Sequence, residues 1–312
     1  MRAFAVRTFG EAPALYDLPI PLADSAFLIR VNYAGVNPLD NILVERLTVT
    51  SKYPFVLGVD FAGIVESAPE GELSLRTGQR VFGMARTHGA YAEYTAVAPG
   101  VKTEPLARIP DGVTDEQAAA LPIAAITALR SLDLLGATPG QRLVVMGATG
   151  AVGGYTVQMA RDRGVHVIAT VRGDIDEARR IGAEEVYNTD VVDVFDAVRT
   201  SHPDGVEAVL DLVNGSDVIH RDAEILKSGG GLVSTRYAAD EEWFAERQIT
   251  AFNIATLTNP LSSPQGLTKV AGMLADGTIT ARIDSAIQPD HIDEMFEKLR
   301  SGDLHGKAVI RF

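Results

Sequence analysis

The chain has 312 residues, 46% of them hydrophobic, and a formal net charge of −13. This is enough for two ordinary globular domains, and the negative charge argues against a broad surface for nucleic acid or anionic lipid, which clustered Lys and Arg would bind. The absence of cysteine excludes disulfides, cysteine-ligated zinc and thiol nucleophiles. Neither a signal-peptide core nor a stretch of about 18 apolar residues is apparent, so we expect a cytoplasmic protein.

The region up to Pro110 predicts a mostly β domain, because short runs of strand-forming residues alternate with turn residues. A helix is then predicted over residues 115–121, with Thr114 as its N-cap. After the interruption at Pro122, a second helix is predicted over residues 125–135. The β-type runs are residues 3–6, 27–31, 62–65, 80–82 and 90–94.

From Arg142 onward, strand and helix patterns alternate, which is typical of a parallel sheet covered by helices. A helix over residues 152–163 follows the first strand of this region. An amphipathic helix over 290–300 and a strand over 307–312 close the chain. The fold class is therefore α/β. The strands predicted in the parallel sheet are residues 143–146, 166–171, 185–188, 208–212 and 231–234.

A glycine-rich stretch, MGATGAVGGY, begins at Met146, between a predicted strand and a predicted helix. A dinucleotide site needs a tight turn that brings pyrophosphate close to backbone N–H groups at a helix N-terminus, and only glycine permits that approach. A strand–helix connection without a ligand is the alternative, but the surrounding βαβ pattern favours a phosphate cradle. We predict that the cradle consists of Gly147, Ala148, Thr149, Gly150, Ala151, Val152 and Gly153.

The residues after the second strand of the parallel sheet bear on the choice between NADP(H) and NAD(H), and they read Arg172-Gly173-Asp174. A basic side chain at this position accepts the 2′-phosphate of NADP, whereas an acidic one holds the ribose of NAD. Arg172 comes first after the strand, and its guanidinium suits a phosphate. We therefore favour NADP(H), while Asp174 keeps NAD(H) open and Arg172 as an ordinary surface residue is the alternative.

Several further segments occur in the order found in a known family. Together with the glycine stretch, the matching segments are residues 34–40, 53–63, 78–83, 89–94, 118–128 and 305–307. With these segments the chain resembles the medium-chain dehydrogenase/reductase superfamily, in its zinc-independent quinone oxidoreductase branch. The resemblance implies a GroES-like, mostly β catalytic domain formed by residues 1–122 and 260–312. It also implies an inserted Rossmann domain with a doubly wound parallel sheet, residues 123–259.

The same resemblance implies NADPH as hydride donor, a quinone, enone or similar activated alkene or carbonyl as acceptor, and a homodimer. Zinc alcohol dehydrogenases of the superfamily carry Gly-His-Glu where this chain reads Gly58-Val59-Asp60, and they ligate zinc with cysteines. The metal-free branch is therefore favoured, and we predict no metal site. The histidines show no ligand spacing and are expected to be surface or isolated core residues; they are His88, His166, His202, His220, His291 and His305.

Asn37 and Asp40 occupy positions that face the nicotinamide and substrate cleft in the resembled family. The Asn37 amide could donate a hydrogen bond to a substrate oxygen that gains charge, and Asp40 could order that amide or a water chain. Local chemistry offers an alternative, in which Asn37-Pro38 starts a turn and Asp40 caps the next helix. A tyrosine that relatives often place after this motif is absent, and Tyr53 is expected to pack or to form the cleft wall.

Four further residues are predicted to contact the cofactor, two of them, Val213 and Tyr237, because the loops after parallel strands lie over a bound dinucleotide. Thr127 matches a family position near the nicotinamide, and a buried helix hydroxyl is its alternative. Asn253 lies in a segment that meets the carboxamide in relatives, although it could equally be a turn residue. The four residues are Thr127, Val213, Tyr237 and Asn253.

Three functional hypotheses follow from these patterns. The first is an NADPH-dependent reductase of quinones or α,β-unsaturated carbonyls. The second is a nucleotide-binding or structural protein of the same fold with little turnover, because fold alone does not fix function. The third, an NADP-dependent alcohol dehydrogenase or carbonyl reductase, needs a Lewis acid or a proton relay to polarise the carbonyl.

Overall fold

The computed structural model describes residues 1–72, 74–85, 87, 89–100, 104–173, 175–254 and 260–312. The chain forms two compact units. The first comprises Met1–Ile126, Pro260–Gly277 and Ala281–Phe312, and the second comprises Thr127–Asn259 and Thr278–Thr280. The division falls after Ile126, whereas the sequence placed it after Pro122, and the short segment Thr278–Thr280 groups with the second unit.

The first unit is mostly β. Its smaller sheet is antiparallel, with the strand β1 (Arg2–Val6) between β2 (Ala14–Asp17) and β4 (Phe55–Val56). The strands of its larger sheet are β3 (Phe27–Gly35), β5 (Asp60–Ser67), β6 (Arg80–Met84), β7 (Tyr94–Val97), β8 (Leu106–Arg108), β15 (Ile283–Ile287) and β16 (Lys307–Arg311). They lie in the order β15-β16-β3-β5-β6-β8, with β7 also paired to β3, and the chain's last strand β16 runs antiparallel to β3.

Burial along β3 follows the two-residue period of a strand with one face in the core. Phe27, Ile29 and Val31 are buried, and the intervening Arg30 is exposed. The helices of this unit are α1 (Pro38–Glu45), α2 (Asp115–Ala119), α8 (Pro264–Ala275) and α9 (Ile292–Ser301), and α3 (Pro122–Leu134) contains the division between the units.

The second unit contains a parallel sheet. Its strands are β9 (Arg142–Met146), β10 (His166–Val171), β11 (Glu185–Asn188), β12 (Val206–Asp211), β13 (Leu226–Ser234) and β14 (Thr250–Asn253). Their order is β11-β10-β9-β12-β13-β14, all parallel, which is the 3-2-1-4-5-6 order of a doubly wound dinucleotide-binding sheet. Its other elements are α4 (Ala151–Asp162), α5 (Ile175–Ile181), α6 (Val194–Ser201), α7 (Glu241–Ala245) and a 3₁₀ helix, Ile219–Glu224.

The predicted α/β class, with a mostly β part and a doubly wound parallel sheet, is confirmed. β10 and β11 have the predicted bounds, and the apolar residues of β10 are buried from Val167 to Val171, as expected for a strand covered on both faces. The strand predicted over residues 90–94 is wrong. The N–H groups of Ala90 and Tyr91 both donate to Leu57 O, in a loop, and the strand starts only at Tyr94. The C-terminal helix starts two residues late, because Pro289–His291 forms a 3₁₀ turn.

Two glycines of α8 provide a matched test of packing. A Cβ atom on Gly266 would lie 1.9 Å from Leu261 O, whereas one on Gly272 would meet no atom of the described residues within 4 Å. We expect Gly266→Ala to lower the free energy of unfolding by more than about 1 kcal/mol, because backbone must shift to remove the overlap. Gly272→Ala should raise it by about 0.5–1 kcal/mol, since alanine is the better helix former. Urea unfolding of both variants measures the difference, and equal effects would contradict this packing.

Candidate functional site

The glycine stretch connects the end of β9 to the start of α4, as predicted. Gly147 has a φ of +84°, in the left-handed region that favours glycine. Its N–H donates to Thr170 Oγ1 over 3.2 Å, and the N–H of Ala148 donates to Thr170 O over 3.0 Å. The loop is thereby attached to the carboxyl end of the neighbouring strand β10.

The approach of α4 to this loop depends on Gly153. A Cβ atom there would lie 2.3 Å from Gly147 O and 2.8 Å from Ala148 Cα, so only glycine lets the helix come so close. Gly150 is the N-cap of α4 and carries no capping side chain, and among the described residues a Cβ atom on it would have only Gly147 O, at 3.5 Å, within 4 Å. The space before the helix N-terminus is thus open to a phosphate, and the cradle fits the pyrophosphate of a dinucleotide.

The remaining cradle residues lie as predicted between β9 and the first turn of α4. Thr149 is 7% exposed and Ala148 is fully buried, while Ala151 and Val152 begin the helix and are partly exposed. Their backbone N–H groups belong to the first turn of α4, where helices leave donors without intrahelical partners. Backbone therefore supplies most of the polar contacts that this loop can make.

Three of the other predicted cofactor residues follow strands of the parallel sheet at its carboxyl edge. Arg172 is exposed directly after β10, Val213 is 51% exposed after β12, and Tyr237 is 61% exposed after β13 with a φ of +56°. A Cβ atom on Gly147 would lie 2.7 Å from Val213 Cγ1, so the turn after β12 packs directly on the glycine loop. Asp174, the residue that kept NAD(H) open, is outside the described residues.

Asn253 has structural partners of its own, and Thr127 is buried inside a helix. The Asn253 Nδ2 donates to Ala239 O over 2.8 Å and to Glu241 Oε1 over 3.1 Å, which attaches the end of β14 to the start of α7. Thr127 is 3% exposed inside α3, in agreement with its alternative as a buried helix residue. A contact of either residue with a cofactor stays a prediction.

In the first unit, Asn37 and Asp40 lie in a buried polar network, at 3% and 0% exposure. Asn37 is the N-cap of α1, and its N–H donates to Asp40 Oδ2 over 2.8 Å, so the interpretation of Asp40 as a helix cap is confirmed. The Asn37 Nδ2 donates to Asp60 Oδ2 over 3.0 Å and to Gly35 O over 3.3 Å. Both amide hydrogens of Asn37 are thus donated to protein oxygens, which differs from the expected donation to a substrate.

The sequence interpretation missed three members of this network, Asp60, Tyr91 and Lys307. Lys307 Nζ bonds Asn37 Oδ1 and forms an ion pair of 3.1 Å with Asp60 Oδ2, and both charged side chains are buried. Tyr91 donates to Asp40 Oδ2 over 2.7 Å. Asp60 and Lys307 each adjoin the apolar residues of a strand in the sequence. This pattern could have indicated a buried ion pair, because charged residues are rarely buried without a partner.

The network holds two carboxyl groups and one cation. Lys307 is paired with Asp60, which also accepts the Ile123 N–H, while Asp40 Oδ1 has no hydrogen-bond partner within the described part of the chain. Burial raises the pKa of Asp40 to about 7, with Asp60 adding to the effect and the Tyr91 hydrogen bond opposing it. Burial also raises the pKa of Asp60, although the positive charge of Lys307 opposes this shift. The pKa of Tyr91 is raised well above its usual range, again chiefly by burial. The pKa of Asp40 thus lies near neutral pH.

The histidines are less isolated than predicted. His166 Nε2 and His202 Nε2 both contact the Glu185 carboxylate, at 2.6 and 3.0 Å, and His220 stacks on Trp243 with ring centroids 4.1 Å apart. The side chains meet because β10, β11 and the end of α6 adjoin, a juxtaposition that sequence spacing does not show. His88 lies outside the described residues. Across the described ranges, no group of three or more His, Asp or Glu side chains could hold a metal ion.

Two family models match the chain: the alcohol dehydrogenase GroES-like domain over residues 23–111 and a zinc-binding dehydrogenase model over residues 181–310. The quinone oxidoreductase of Rattus norvegicus is 33% identical over 245 residues, covering 75% of this chain and 72% of the relative. The human quinone oxidoreductase is 29% identical over 245 residues, with the same coverage.

Solved structures agree with these matches. The quinone oxidoreductase from Coxiella burnetii has a TM-score of 0.87 and 26% identity, covering 100% of this chain and 99% of that one. A mycobacterial protein complexed with NADPH shares the fold, with a TM-score of 0.87, 22% identity and full coverage of both chains.

The fold, the glycine cradle and the similarity to quinone oxidoreductases together define an oxidoreductase that acts on a small molecule. They also point to a nicotinamide cofactor. The chain belongs to the medium-chain dehydrogenase/reductase superfamily, in its quinone oxidoreductase-like branch. The predicted GroES-like domain and Rossmann sheet are thereby confirmed. None of the helices in the described ranges is both long and apolar enough to span a membrane.

The raised pKa of Asp40 predicts how stability depends on pH. The folded state holds this proton up to about pH 7, whereas the unfolded state releases it near about pH 4. The stability from neutral Asp40 is therefore complete below pH 4 and is lost as pH rises through 7, by at most about 1.4 kcal/mol per pH unit. Asp40→Asn should remove this loss, since its amide can accept from Tyr91 and has nothing to ionise.

Chemical unfolding of wild type and Asp40→Asn from pH 4 to 9 checks this expectation. The stability of the variant relative to wild type should increase from pH 4 to about pH 7 and level off above it. Asp24→Asn, at an exposed aspartate, is the control and should follow the wild-type profile. Parallel profiles for wild type and Asp40→Asn would show that Asp40 is not a buried acid.

Proposed function

We propose that the protein is a zinc-independent, NADPH-dependent reductase of quinones or α,β-unsaturated carbonyl compounds. The observation that carries the proposal is the open glycine cradle at the N-terminus of α4, with Arg172 exposed at the end of the adjacent strand β10. When bound, NADPH supplies a hydride to an electron-poor carbon of the acceptor. The protein then has to bind, orient and exclude water, and it needs few reactive side chains.

The cradle binds the pyrophosphate with backbone. Residues 151–153 form the first turn of α4, and their N–H groups point out of the helix N-terminus, where the helix dipole favours an anion. Gly150 leaves the approach clear, and Val213 lies against Gly147 on the side of the β12 turn. These contacts suit either nicotinamide dinucleotide, so the choice between them depends on the end of β10.

Arg172 supports NADPH over NADH. It is the first residue after β10 and is exposed, in the position from which a side chain reaches the 2′ group of the adenosine ribose. A guanidinium binds a phosphate in a bidentate manner, which a ribose hydroxyl cannot match. The 2′-phosphate therefore gives Arg172 a stronger partner than NADH offers.

The acceptor class rests on the relatives, which are quinone oxidoreductases. Reduction of a quinone or an enone places negative charge on an oxygen, so a proton must follow the hydride. In the first unit, Asp40 can exchange a proton near neutral pH, whereas the Asn37 amide is committed to Asp60 and Gly35. We therefore propose that Asn37 positions the start of α1 and that Asp40 is the titrating group of this network.

Zinc independence rests on the donors that the chain offers. It has no cysteine, and Asp60, where zinc-dependent relatives carry glutamate, already binds Lys307, Asn37 and the Ile123 N–H. A carboxylate with these partners would have to leave them to bind a metal, and the buried Lys307 would lose its counter-charge. The homodimer and the cytoplasmic location expected from the sequence stay predictions.

The reductase activity is tested with NADPH and a panel of small quinones and enones. We expect NADPH oxidation with at least one class of acceptor, and no loss of rate after extensive treatment with a metal chelator, because no step requires a Lewis acid. Metal analysis of the purified protein is the control. NADPH binding without turnover of any acceptor would favour a nucleotide-binding protein, whereas stoichiometric zinc would favour an alcohol dehydrogenase.

The cofactor preference is tested at Arg172. Arg172→Ala should weaken NADPH binding about 10- to 100-fold and leave NADH binding nearly unchanged, because the lost hydrogen bonds are to the 2′-phosphate. Arg180→Ala is the matched control. It removes the same charge from α5, where Arg180 pairs with Glu177 and its side chain is 63% exposed. Fluorescence titration with both nucleotides measures the Kd values, and equal losses for the two nucleotides would contradict the assignment of Arg172.

A further inference from the structure

Two buried carboxyl groups face each other in the second unit. Asp211 is the last residue of β12, and Asp222 lies in the 3₁₀ helix Ile219–Glu224; both are completely buried. Their side chains are within hydrogen-bonding reach of each other. Two ionised carboxylates cannot share a hydrogen bond, so one of the pair must carry a proton.

The donors around the pair decide which residue is protonated. Asp211 Oδ1 accepts the N–H groups of Val213 and Asn214, at 2.9 and 2.8 Å, and Asp211 Oδ2 accepts Asn214 Nδ2 at 2.7 Å. With three donors directed at it, Asp211 is the hydrogen-bond acceptor of the pair. Neither Asp222 oxygen receives a hydrogen bond from a donor in the described ranges. Burial, with the adjacent charge of Asp211, raises the pKa of Asp222 well above its usual range.

The basic side chains near Asp222 form ion pairs or ring contacts with other residues. On the same 3₁₀ helix, Arg221 pairs with Asp193 at 2.8 Å and lies near Glu224, and His220 stacks on Trp243. On the packed elements, Arg199 of α6 pairs with Asp196 and Glu224, and Lys227 of β13 pairs with Glu207. Asp211 is thus the charged group that acts on Asp222.

The turn held by Asp211 touches the glycine cradle. Its carboxylate binds the N–H groups of Val213 and Asn214, and Val213 Cγ1 occupies the space next to Gly147 where a Cβ atom would lie, at 2.7 Å. A chain of direct contacts therefore runs from Asp222 through Asp211 and Val213 to Gly147. A change at Asp222 that moves this turn therefore reaches the cradle.

We propose that Asp222 is a positioning residue for the nucleotide cradle. As a neutral carboxylic acid, it donates a hydrogen bond to Asp211, which holds the Val213–Asn214 turn against Gly147. Asp222 would not touch the cofactor and would act through Asp211. The inference rests on the proposed function only in assigning a dinucleotide to the cradle.

The test compares Asp222→Asn with Asp222→Ala in the full chain. Asparagine keeps a donor toward Asp211, so the Kd for NADPH should stay within about twofold of wild type, whereas alanine should raise it about 10- to 100-fold. Asp217→Asn, at an exposed position before the same 3₁₀ helix, is the control and should bind as wild type. Unchanged binding by folded Asp222→Ala, or equal losses for both variants at Asp222, would overturn the proposal.

Two measurements do not depend on the cofactor. Hydrogen exchange at the Val213 and Asn214 amides should be slow in wild type and Asp222→Asn and faster in Asp222→Ala. The infrared carbonyl band of a protonated carboxylic acid should persist at pH 9, above the Asp40 titration, and disappear in Asp222→Asn. This band is measurable even if Asp222→Ala does not fold, and its absence from wild type overturns the proposal. Failure of wild type to bind NADPH would instead contradict the proposed function and leave these two results intact.

Discussion

The close approach of α4 to the end of β9 is the constraint on which the nucleotide site depends. Gly153 brings the helix so near that a Cβ atom there would lie 2.3 Å from Gly147 O. The approach fixes where the helix N-terminus lies, and so where backbone donors and the helix dipole meet a phosphate. The parallel order of the sheet then brings the turns after β10, β12 and β13 to the same edge.

Both units bury more carboxyl groups than cations near them, and both show how such an excess is accommodated. In the first unit, Lys307 compensates Asp60, and one oxygen of Asp40 has no partner among the described residues. In the second, Asp211 receives three donors, and Asp222 receives none from the part of the chain that the structure describes. Because an isolated buried charge is costly, the pKa of the less compensated carboxyl group is raised, to about 7 for Asp40 and well above its usual range for Asp222. A neutral acid inside a fold can then donate a hydrogen bond, which a carboxylate cannot.

The structure changes the roles of the two residues, Asn37 and Asp40, that the family resemblance suggested for the catalytic site. Asn37 and Asp40 are the expected pair, yet the structure ties Asn37 to Asp60, Gly35 and Lys307 and gives Asp40 the role of a helix cap. Membership of the quinone oxidoreductase-like branch establishes an oxidoreductase. Its acceptor depends on loops, whose chemistry varies among proteins of one fold.

Local sequence patterns were enough to predict the α/β class, the strands β10 and β11, the N-cap at Thr114 and the position of the glycine cradle. These features follow from rules that act between residues close along the chain, such as strand periodicity and the spacing of glycines. The hydrogen-bond and ion-pair partners of the buried polar groups depend on the tertiary structure and could not be predicted from local patterns. Lys307 and Asp60 are 247 positions apart, and the false strand over residues 90–94 is bonded to a distant loop. A hydrogen bond needs a donor in the right place, and only the folded chain determines which residue stands there.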